Sequence, residues 1–294
     1  MAASLKIFRG DLDEPRTLRI GQRLDKYRLI KRMGEGGFAT VYSAQDTIEH
    51  RKVALKIPAH SYTACPESLE DLQREVRIMA RLEHPGIMPL KDARIIEGHF
   101  VMVFPLGDET LENRLTRRLS RTVAVHYVVQ MVAALAHAHE RSVLHRDIKP
   151  ENLVLFPDQT VQLSDFGLAR IERGVHHVSA SGTIGYMAPE QAMGHPTYRS
   201  DVFSLGLVIY RILAGQLPEY PFDSLPGFNR LRRGLSREFV AWIRKAISPS
   251  PQKRFRDAVA MQNALCKIRF PLSDRSIVVK DQPKSGSIST RRVA

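Results

Sequence analysis

Short apolar runs bounded by turn residues fill the first third of the chain, which is typical of β-strands. Five such runs predict strands, at residues 27–33, 39–45, 52–57, 90–96 and 100–104. Glu97-Gly98-His99 predicts a hairpin turn between the last two. One helix is predicted over about 67–82, because Leu72, Val76 and Met79 recur there at the spacing of one helical face. The pattern therefore predicts a small antiparallel lobe with a single helix.

After Leu106 the apolar spacing becomes helical, which predicts a larger, mainly helical lobe. The predicted helices cover residues 111–119, 123–140, 199–214, 236–246 and 257–268. The fold class is therefore α+β, with one lobe over 27–106 and another over 107–270. Residues 1–26 lack periodicity and predict a loosely attached extension, and 271–294 predict a disordered basic tail.

Composition sets the class of protein. The chain has 294 residues, 43% of them hydrophobic, which is enough for a sizeable core. No stretch reaches the roughly 18 uninterrupted apolar residues of a membrane helix, and the N-terminus has no apolar signal core. We therefore expect a cytoplasmic protein without a membrane span.

The net charge of +13 is spread along the chain, so no nucleic-acid partner is expected. Two local concentrations of arginine stand out, Arg114, Arg117, Arg118 and Arg121 on a predicted helix and Arg230, Arg232, Arg233 and Arg237 in a predicted loop. They are either solvated surface or a docking site for an acidic protein substrate or for phosphate.

The segment HRDIKPEN at 145–152 places a carboxylate, an ammonium and an amide on one short loop, in Asp147, Lys149 and Asn152. Phosphoryl transfer to a hydroxyl requires these three groups together. Asp165 follows 18 residues after Asp147, and the turn Pro157-Asp158-Gln159 lies between two short apolar runs. Two strands joined by that turn would return Asp165 to the edge that carries Asp147.

A glycine-rich segment, Gly34-Glu35-Gly36-Gly37, lies between two predicted strands. It is either a plain hairpin turn or a loop whose backbone amides approach phosphate oxygens. Lys56 lies on the third predicted strand, 19 residues before Glu75 on the helix of the small lobe. Glu75, Glu70 and Glu83 are the candidate ion-pair partners of Lys56.

Taken in order, these motifs resemble those of eukaryotic-type (Hanks-type) serine/threonine protein kinases over roughly residues 27–267. The short extensions are similar to bacterial members that lack a membrane span. The resemblance implies a two-lobe fold and transfer of the γ-phosphoryl group from Mg-ATP, with Mn²⁺ as an alternative cation, to a serine or threonine of a protein. A pseudokinase scaffold and a small-molecule kinase are the alternatives. Among the candidate partners of Lys56, the resemblance implies Glu75.

The resemblance also implies the site residues. Asp147 would accept or orient the acceptor hydroxyl, Lys149 would neutralise the transferring group, and Lys56 would bind the α and β phosphates. Asn152 and Asp165 would hold Mg²⁺. The implied nucleotide-binding residues are Met33, Gly34, Glu35, Gly36, Gly37, Val41, Ala54, Lys56, Glu75, Val103, Phe104, Leu106 and Val154.

The segment that would recognise adenine contains Pro105, which has no N–H to donate. If Met102 were the gatekeeper, Pro105 would fall where the family has its adenine-binding amide. Placing Val103 as gatekeeper gives that amide to Leu106 instead, and this placement is the one predicted.

Other residues resemble structural or regulatory parts of the family. His145 and Phe166 resemble its spine, Asp201 resembles the brace below the catalytic loop, and Glu190 with Arg254 resembles a buried ion pair. Thr183 is predicted to contact Asp147 and Lys149. Ser179 and Ser181 are candidate phosphorylation sites near Arg146, or parts of an unregulated loop.

Overall fold

The computed structural model describes residues 17–36, 39–63, 65–166, 184–219, 222 and 224–268. Its first lobe contains a six-stranded antiparallel sheet in the order β1-β2-β3-β4-β6-β5. The strands are β1 (Arg23–Leu24), β2 (Tyr27–Glu35), β3 (Ala39–Asp46), β4 (Arg51–Pro58), β5 (Asp92–Ile96) and β6 (His99–Pro105). Glu97 and Gly98 have φ angles of 48° and 78°, as a tight hairpin turn requires, so the predicted turn is confirmed.

The sheet begins earlier than Tyr27, the predicted start of the lobe. Arg23 and Leu24 belong to the predicted extension, yet they pair with Arg28 and Tyr27, and Leu24 is fully buried. The prediction that residues 1–26 are loosely attached is therefore wrong for this strand. Two residues are too few to show a period in the sequence.

Two helices, α1 (His60–Thr63) and α2 (Pro66–Met79), lie between β4 and β5, where the sequence predicted one. The short α1 was missed because four residues show no helical period. Helix α2 begins at Pro66, whose missing N–H would have no partner in a first helical turn. It buries Leu72, Glu75 and Met79.

The two faces of the sheet pack into different cores. One face contributes to an outer cluster with Leu24, Leu55 and Val103. The other face contributes Met102 and Phe104 to the large core, which also contains α2 residues and the second lobe. Successive side chains of a strand point to opposite faces, so a one-residue shift changes the core that a residue enters.

The second lobe is mainly helical, as predicted. Its helices are α3 (Leu111–Arg114), α4 (Arg121–Glu140), α5 (Pro189–Ala192), α6 (Tyr198–Ala214), α7 (Phe228–Gly234), α8 (Arg237–Ala246) and α9 (Ala258–Leu265). A small sheet of β7 (Glu109–Thr110), β8 (Leu153–Leu155) and β9 (Val161–Leu163) lies against them. Side chains of Ser120, Ser236 and Asp257 accept hydrogen bonds from backbone N–H groups at the starts of α4, α8 and α9.

Two predictions for this lobe, one of a helix and one of a loop, are wrong. The helix predicted over 111–119 ends at Arg114, whose guanidinium donates to the carbonyl oxygens of Arg117 and Arg118 across a turn. Arg230, Arg232 and Arg233 lie on α7 and not in a loop. Leu231 is the only buried residue of α7, so the helix lacks the apolar period that reveals longer helices.

Candidate active site

The catalytic loop rests on one buried carboxylate. The two oxygens of Asp201, on α6, accept hydrogen bonds from the backbone N–H groups of His145 and Arg146 at 2.8 Å each. His139 of α4 lies 3.1 Å from the same carboxylate and accepts a 3.0 Å bond from the Ala258 N–H through its other ring nitrogen. Asp201 therefore braces the loop, as predicted, and fixes Arg146 in a left-handed conformation with φ 70°.

Asp147 is held by the two polar residues that follow it. Lys149 Nζ lies 2.8 Å from Asp147 Oδ2. The Asn152 amide donates to the carbonyl oxygen of Asp147 at 2.7 Å and to Oδ2 at 2.9 Å. The three groups of the loop thus form one cluster, and about a third of the Asp147 side chain stays exposed to an incoming acceptor.

The β8–β9 hairpin returns the chain to this cluster, as its turn residues predicted. Ser164 follows β9, and its hydroxyl lies 3.1 Å from the Asn152 carbonyl oxygen and 3.4 Å from Asp165 Oδ2. His145 Nε2 lies 2.8 Å from the Ser164 carbonyl oxygen, and its ring packs 4.7 Å from the Phe166 ring. Asp165 is thereby fixed beside the catalytic loop, with φ 62°.

Lys56 connects the two lobes. Its ammonium forms an ion pair with Asp165 and lies 3.7 Å from Glu75 Oε1. Burial opposes ionisation of Asp165, but Lys56 outweighs it and holds the pKa of Asp165 below its ordinary value. Burial would also lower the pKa of Lys56, but Asp165 and Glu75 raise it. Lys56 and Asp165 are therefore both charged.

Among the three candidate partners of Lys56, the structure selects Glu75. Glu75 is buried, whereas Glu70 and Glu83 are exposed. Burial raises the pKa of Glu75 to about 7, and neither of its carboxylate oxygens has a hydrogen bond among the described residues. The Lys56–Glu75 contact is thus formed but loose.

The walls around Lys56 come from the strands. Val41 lies opposite Lys56 on β3, and Ala54 is two residues before it, so all three share one face of the sheet. Val154, on β8, is half-buried and packs against Gly107, where any side chain would overlap it. Glycine at 107 therefore permits the linker to approach β8. The nucleotide-binding roles predicted for Val41, Ala54 and Val154 stay predictions.

The glycine-rich segment is partly described. Met33, Gly34, Glu35 and Gly36 are exposed, and the Gly36 N–H donates to the Ala39 carbonyl oxygen at 2.9 Å. Gly37 lies outside the described residues. The exposed backbone of this hairpin is compatible with both a plain turn and a loop whose amides approach phosphate.

The placement of Val103 as gatekeeper is wrong. Met102 lies opposite Lys56 in the sheet and enters the core that contains α2 and Phe166. Val103 lies opposite Leu55 and packs on the far face. Because strand side chains alternate, Met102 and Phe104 lie on the face that carries Lys56 and Ala54, and Val103 lies on the opposite face.

Pro105 belongs to the segment predicted to recognise adenine, and it has no N–H to donate. The Val103 carbonyl oxygen already accepts a 2.8 Å bond from the Lys91 N–H. The next donor along the linker is Leu106, whose N–H has no hydrogen bond in the described part of the chain. The adenine-binding role predicted for the Leu106 amide stays a prediction.

Asn152 and Asp165 meet the chemical requirements of a Mg²⁺ site. The Asn152 amide nitrogen binds Asp147, which leaves its side-chain oxygen as a ligand. Asp165 supplies an ionised carboxylate beside it. Mg²⁺ prefers such oxygen donors and takes further ligands from water and phosphate, so two protein side chains suffice.

The predicted Glu190–Arg254 pair is present. Arg254 donates from Nη1 to Glu190 Oε1 at 2.6 Å and from Nη2 to Oε2 at 3.2 Å, and its side chain is fully buried. Ser200 of α6 donates to the same carboxylate at 2.8 Å. Thr183, Ser179 and Ser181 lie outside the described residues, so their predicted roles stay predictions.

Sequence reasoning missed three contributors to the site. Met102 was rejected on the proline argument alone. Ser164 directly precedes Asp165 but was given no role of its own, and His139 lies on the predicted helix over 123–140 but in no recognised motif. Only the spatial neighbours of Ser164 and His139 reveal their roles, so no signal in the sequence would have found them.

Comparisons with known proteins agree with this geometry. A family model described as protein kinase domain matches residues 27–264. The chain is 29% identical to CBL-interacting serine/threonine-protein kinase 12 of Arabidopsis thaliana, over 92% of this chain and 60% of the relative. It is 33% identical to serine/threonine-protein kinase PknE of Mycobacterium bovis, over 83% of this chain and 46% of the relative. The chain thus spans about half the length of these curated relatives.

A solved structure, the PknI kinase domain of Mycobacterium tuberculosis, superposes with a TM-score of 0.66. The match covers 85% of this chain and 99% of that domain, at 24% identity. It shows the same two-lobe fold. No helix in the described part of the chain is long and apolar enough to span a membrane.

Proposed function

Because the chain belongs to the protein kinase domain family, we propose that it transfers the γ-phosphoryl group of ATP to a serine or threonine hydroxyl of a protein. One observation carries the proposal. Lys149 and Asn152 contact Asp147 at 2.8 and 2.9 Å, and the Ser164 hydroxyl lies 3.1 Å from the Asn152 carbonyl oxygen and 3.4 Å from Asp165, which pairs with Lys56 of the other lobe.

Asp147 acts on the acceptor. Its carboxylate is oriented by the Asn152 amide and remains partly exposed, so it can accept the proton of a hydroxyl or direct that hydroxyl at the phosphorus. Lys149 lies 2.8 Å from the same carboxylate. Its ammonium can neutralise the charge that spreads over the transferring phosphoryl oxygens.

Lys56 acts on the nucleotide. Its ammonium lies between the carboxylates of Asp165 and Glu75, on the face of the sheet that also carries Val41 and Ala54. A nucleotide bound against that face would present its α and β phosphates to Lys56. The Leu106 N–H is the donor that remains for the base.

Asn152 and Asp165 would hold the divalent cation through their side-chain oxygens, and the bound cation would neutralise phosphate charge during transfer. Ser164 holds the backbone of Asn152 and the carboxylate of Asp165 together. The protein thereby fixes the two ligands before any nucleotide arrives.

The acceptor class rests on Lys149 and on the family. A lysine two residues after the catalytic aspartate resembles the serine/threonine members, and the curated relatives are serine/threonine kinases by name. Mapping phosphorylated residues on a generic basic protein by mass spectrometry tests this assignment. Phosphotyrosine as the main product would contradict it.

The test of the activity is phosphate transfer from γ-labelled ATP by the wild type, Asp147→Ala and Lys56→Met. Loss of a positioned acid–base group lowers turnover by about 10²- to 10⁴-fold, which is the loss expected for Asp147→Ala. Lys56→Met should also lower turnover, because the α and β phosphates lose their cation. Lys52→Met is the matched control, because Lys52 is exposed on the same strand. Nucleotide binding without transfer in the wild type would instead indicate a nucleotide-binding scaffold.

A further inference from the structure

Two groups of arginines that are over 100 residues apart lie side by side in the fold. One group, with Arg118 and Arg121, surrounds the turn between α3 and α4, and the other lies on α7. The Arg121 guanidinium packs so closely on Gly234, the last residue of α7, that any side chain at 234 would overlap it. The two groups therefore form one surface, called here the basic surface, which consists of Arg118, Arg121, Arg230, Arg232 and Arg233.

The charges of the basic surface are not neutralised within the described part of the chain. Nearby Arg117 forms an ion pair with Glu109, and Arg237 interacts with Glu238. None of the five arginines of the basic surface forms such a pair with a described carboxylate, and all five are exposed. Five like charges held together repel one another, so all five favour the binding of an anionic partner.

The basic surface is joined to the acceptor side of the cleft by a chain of contacts. Tyr186 lines a small pocket with Asp147 and Lys149. Arg211 of α6 donates to the Tyr186 hydroxyl at 2.6 Å and to both carboxylate oxygens of Glu112 at 2.5 and 2.8 Å. Glu112 lies on α3, so this network links the acceptor side to the start of the α3–α4 turn.

A second contact makes the same connection through α6. Helix α6 ends at Gly215, which adopts a left-handed conformation with φ 83°. Arg230 Nη1 lies beside Gly215, 2.8 Å from where a Cβ would be. Gly215 is four residues after Arg211, so the basic surface begins one helical turn from the residue that holds Tyr186.

Resting on the proposed function, we propose that the basic surface docks an acidic segment of the protein substrate, separate from the residue that is phosphorylated. The contacts through Tyr186, Arg211 and Glu112 place the basic surface and Asp147 on the same lobe, so one protein chain can contact both. A single-stranded nucleic acid fits less well, because residues 114–121 and 230–237 contain no aromatic side chain on which bases could stack.

Binding to the full chain without ATP tests the surface independently of catalysis. The probe is a fluorescent Glu-rich peptide, compared with its Glu→Gln counterpart. The variant is Arg118→Gln/Arg232→Gln/Arg233→Gln, and the control is Arg28→Gln/Lys31→Gln/Lys52→Gln, three exposed residues of the small lobe. Both lower the net charge from +13 to 13 − 3 = +10. We expect the variant to weaken binding about ten-fold and the control less than two-fold.

Transfer kinetics supply the second readout. For an acceptor peptide with an acidic extension, the triple variant should raise KM about ten-fold and leave kcat unchanged. The same acceptor with a neutral extension should show equal KM values in the wild type and the variant. A change in KM for the acidic peptide alone distinguishes lost docking from damage to the catalytic groups, because such damage would lower kcat for both peptides.

The outcomes are distinct. Equal weakening by the variant and the control would show a non-specific charge effect and overturn the proposal. Tighter binding of a dT20 oligonucleotide than of the acidic peptide, through the same arginines, would overturn it in favour of nucleic acid. Peptide binding that depends on these arginines in a chain without transferase activity would support the surface and contradict only the proposed function.

Discussion

The buried carboxylates on the two sides of the cleft are stabilised very differently. Asp201, in the helical lobe, accepts two backbone N–H bonds of 2.8 Å and lies 3.1 Å from His139. Glu75, in the small lobe, has Lys56 at 3.7 Å and no hydrogen bond among the described residues. Both are almost fully buried, so the difference comes from their partners and not from their exposure.

The pKa values show the consequence. Burial disfavours the Asp201 carboxylate, but His139 and the backbone donors hold its pKa below the ordinary value. Burial raises the pKa of Glu75 to about 7, because Lys56 compensates for it only in part. The catalytic loop therefore rests on a carboxylate with satisfied hydrogen bonds, whereas the Glu75 carboxylate of α2 has only the 3.7 Å contact with Lys56. The acceptor side is thus fixed by satisfied hydrogen bonds, whereas the Glu75 carboxylate on the nucleotide side lacks them.

The largest expected loss of unfolding free energy follows from breaking the Glu190–Arg254 ion pair in the helical lobe. Arg254→Ala leaves the Glu190 carboxylate without its guanidinium, and breaking a buried pair costs about 3–5 kcal/mol of unfolding free energy. Denaturant unfolding measures it. The control is Arg256→Ala, whose 75% exposed side chain pairs with Asp257 and should cost less than about 1 kcal/mol. Equal effects would contradict the larger contribution expected of the buried pair.

The second effect concerns Glu75 and depends on pH. Its pKa rises from 4.5 to about 7 on folding, so the folded state binds the proton more tightly. The stability gained in this way is present below pH 4.5 and is lost as the pH rises to about 7. A shift of this size corresponds to a loss on the order of 3 kcal/mol in wild type relative to Glu75→Gln.

Unfolding free energies of the wild type and Glu75→Gln at pH 5 and pH 8 test this prediction. The wild type should lose stability relative to the variant as the pH rises. Glu70→Gln, an exposed position on the same helix, is the control and should follow the wild type. A constant difference between wild type and Glu75→Gln would show that Lys56 neutralises Glu75 fully.

The smallest effect concerns the hydroxyl that joins the two sides. Ser164 lies between the Asn152 carbonyl oxygen and Asp165, so Ser164→Ala removes one bridge without creating a buried charge. The net value of one such hydrogen bond is about 1 kcal/mol, which corresponds to a roughly five-fold loss in kcat/KM. Ser250→Ala removes an exposed hydroxyl and should change nothing. A loss above a hundred-fold would mean that Ser164 orders the whole loop.

The parts that could be predicted are those whose geometry is local. The catalytic loop, the β8–β9 hairpin and the position of Glu75 on α2 depend on residues a few positions apart, and the backbone conformation brings them together. Strand β1, the length of α3 and the helical state of α7 could not be predicted. Each is too short to show a period in the sequence, and α7 also packs against Arg121, which is distant in the sequence.

The sequence by itself determined the family, the order of the lobes and the identity of the catalytic groups, because these depend on residue type and spacing. Only the tertiary structure decided that Met102 and not Val103 faces Lys56, since strand register sets which face enters which core. It also decided which hydrogen bonds and ion pairs each buried carboxylate receives. Finally, it joined two separate groups of arginines into one surface, because helix packing brings Arg121 onto Gly234 from over 100 residues away.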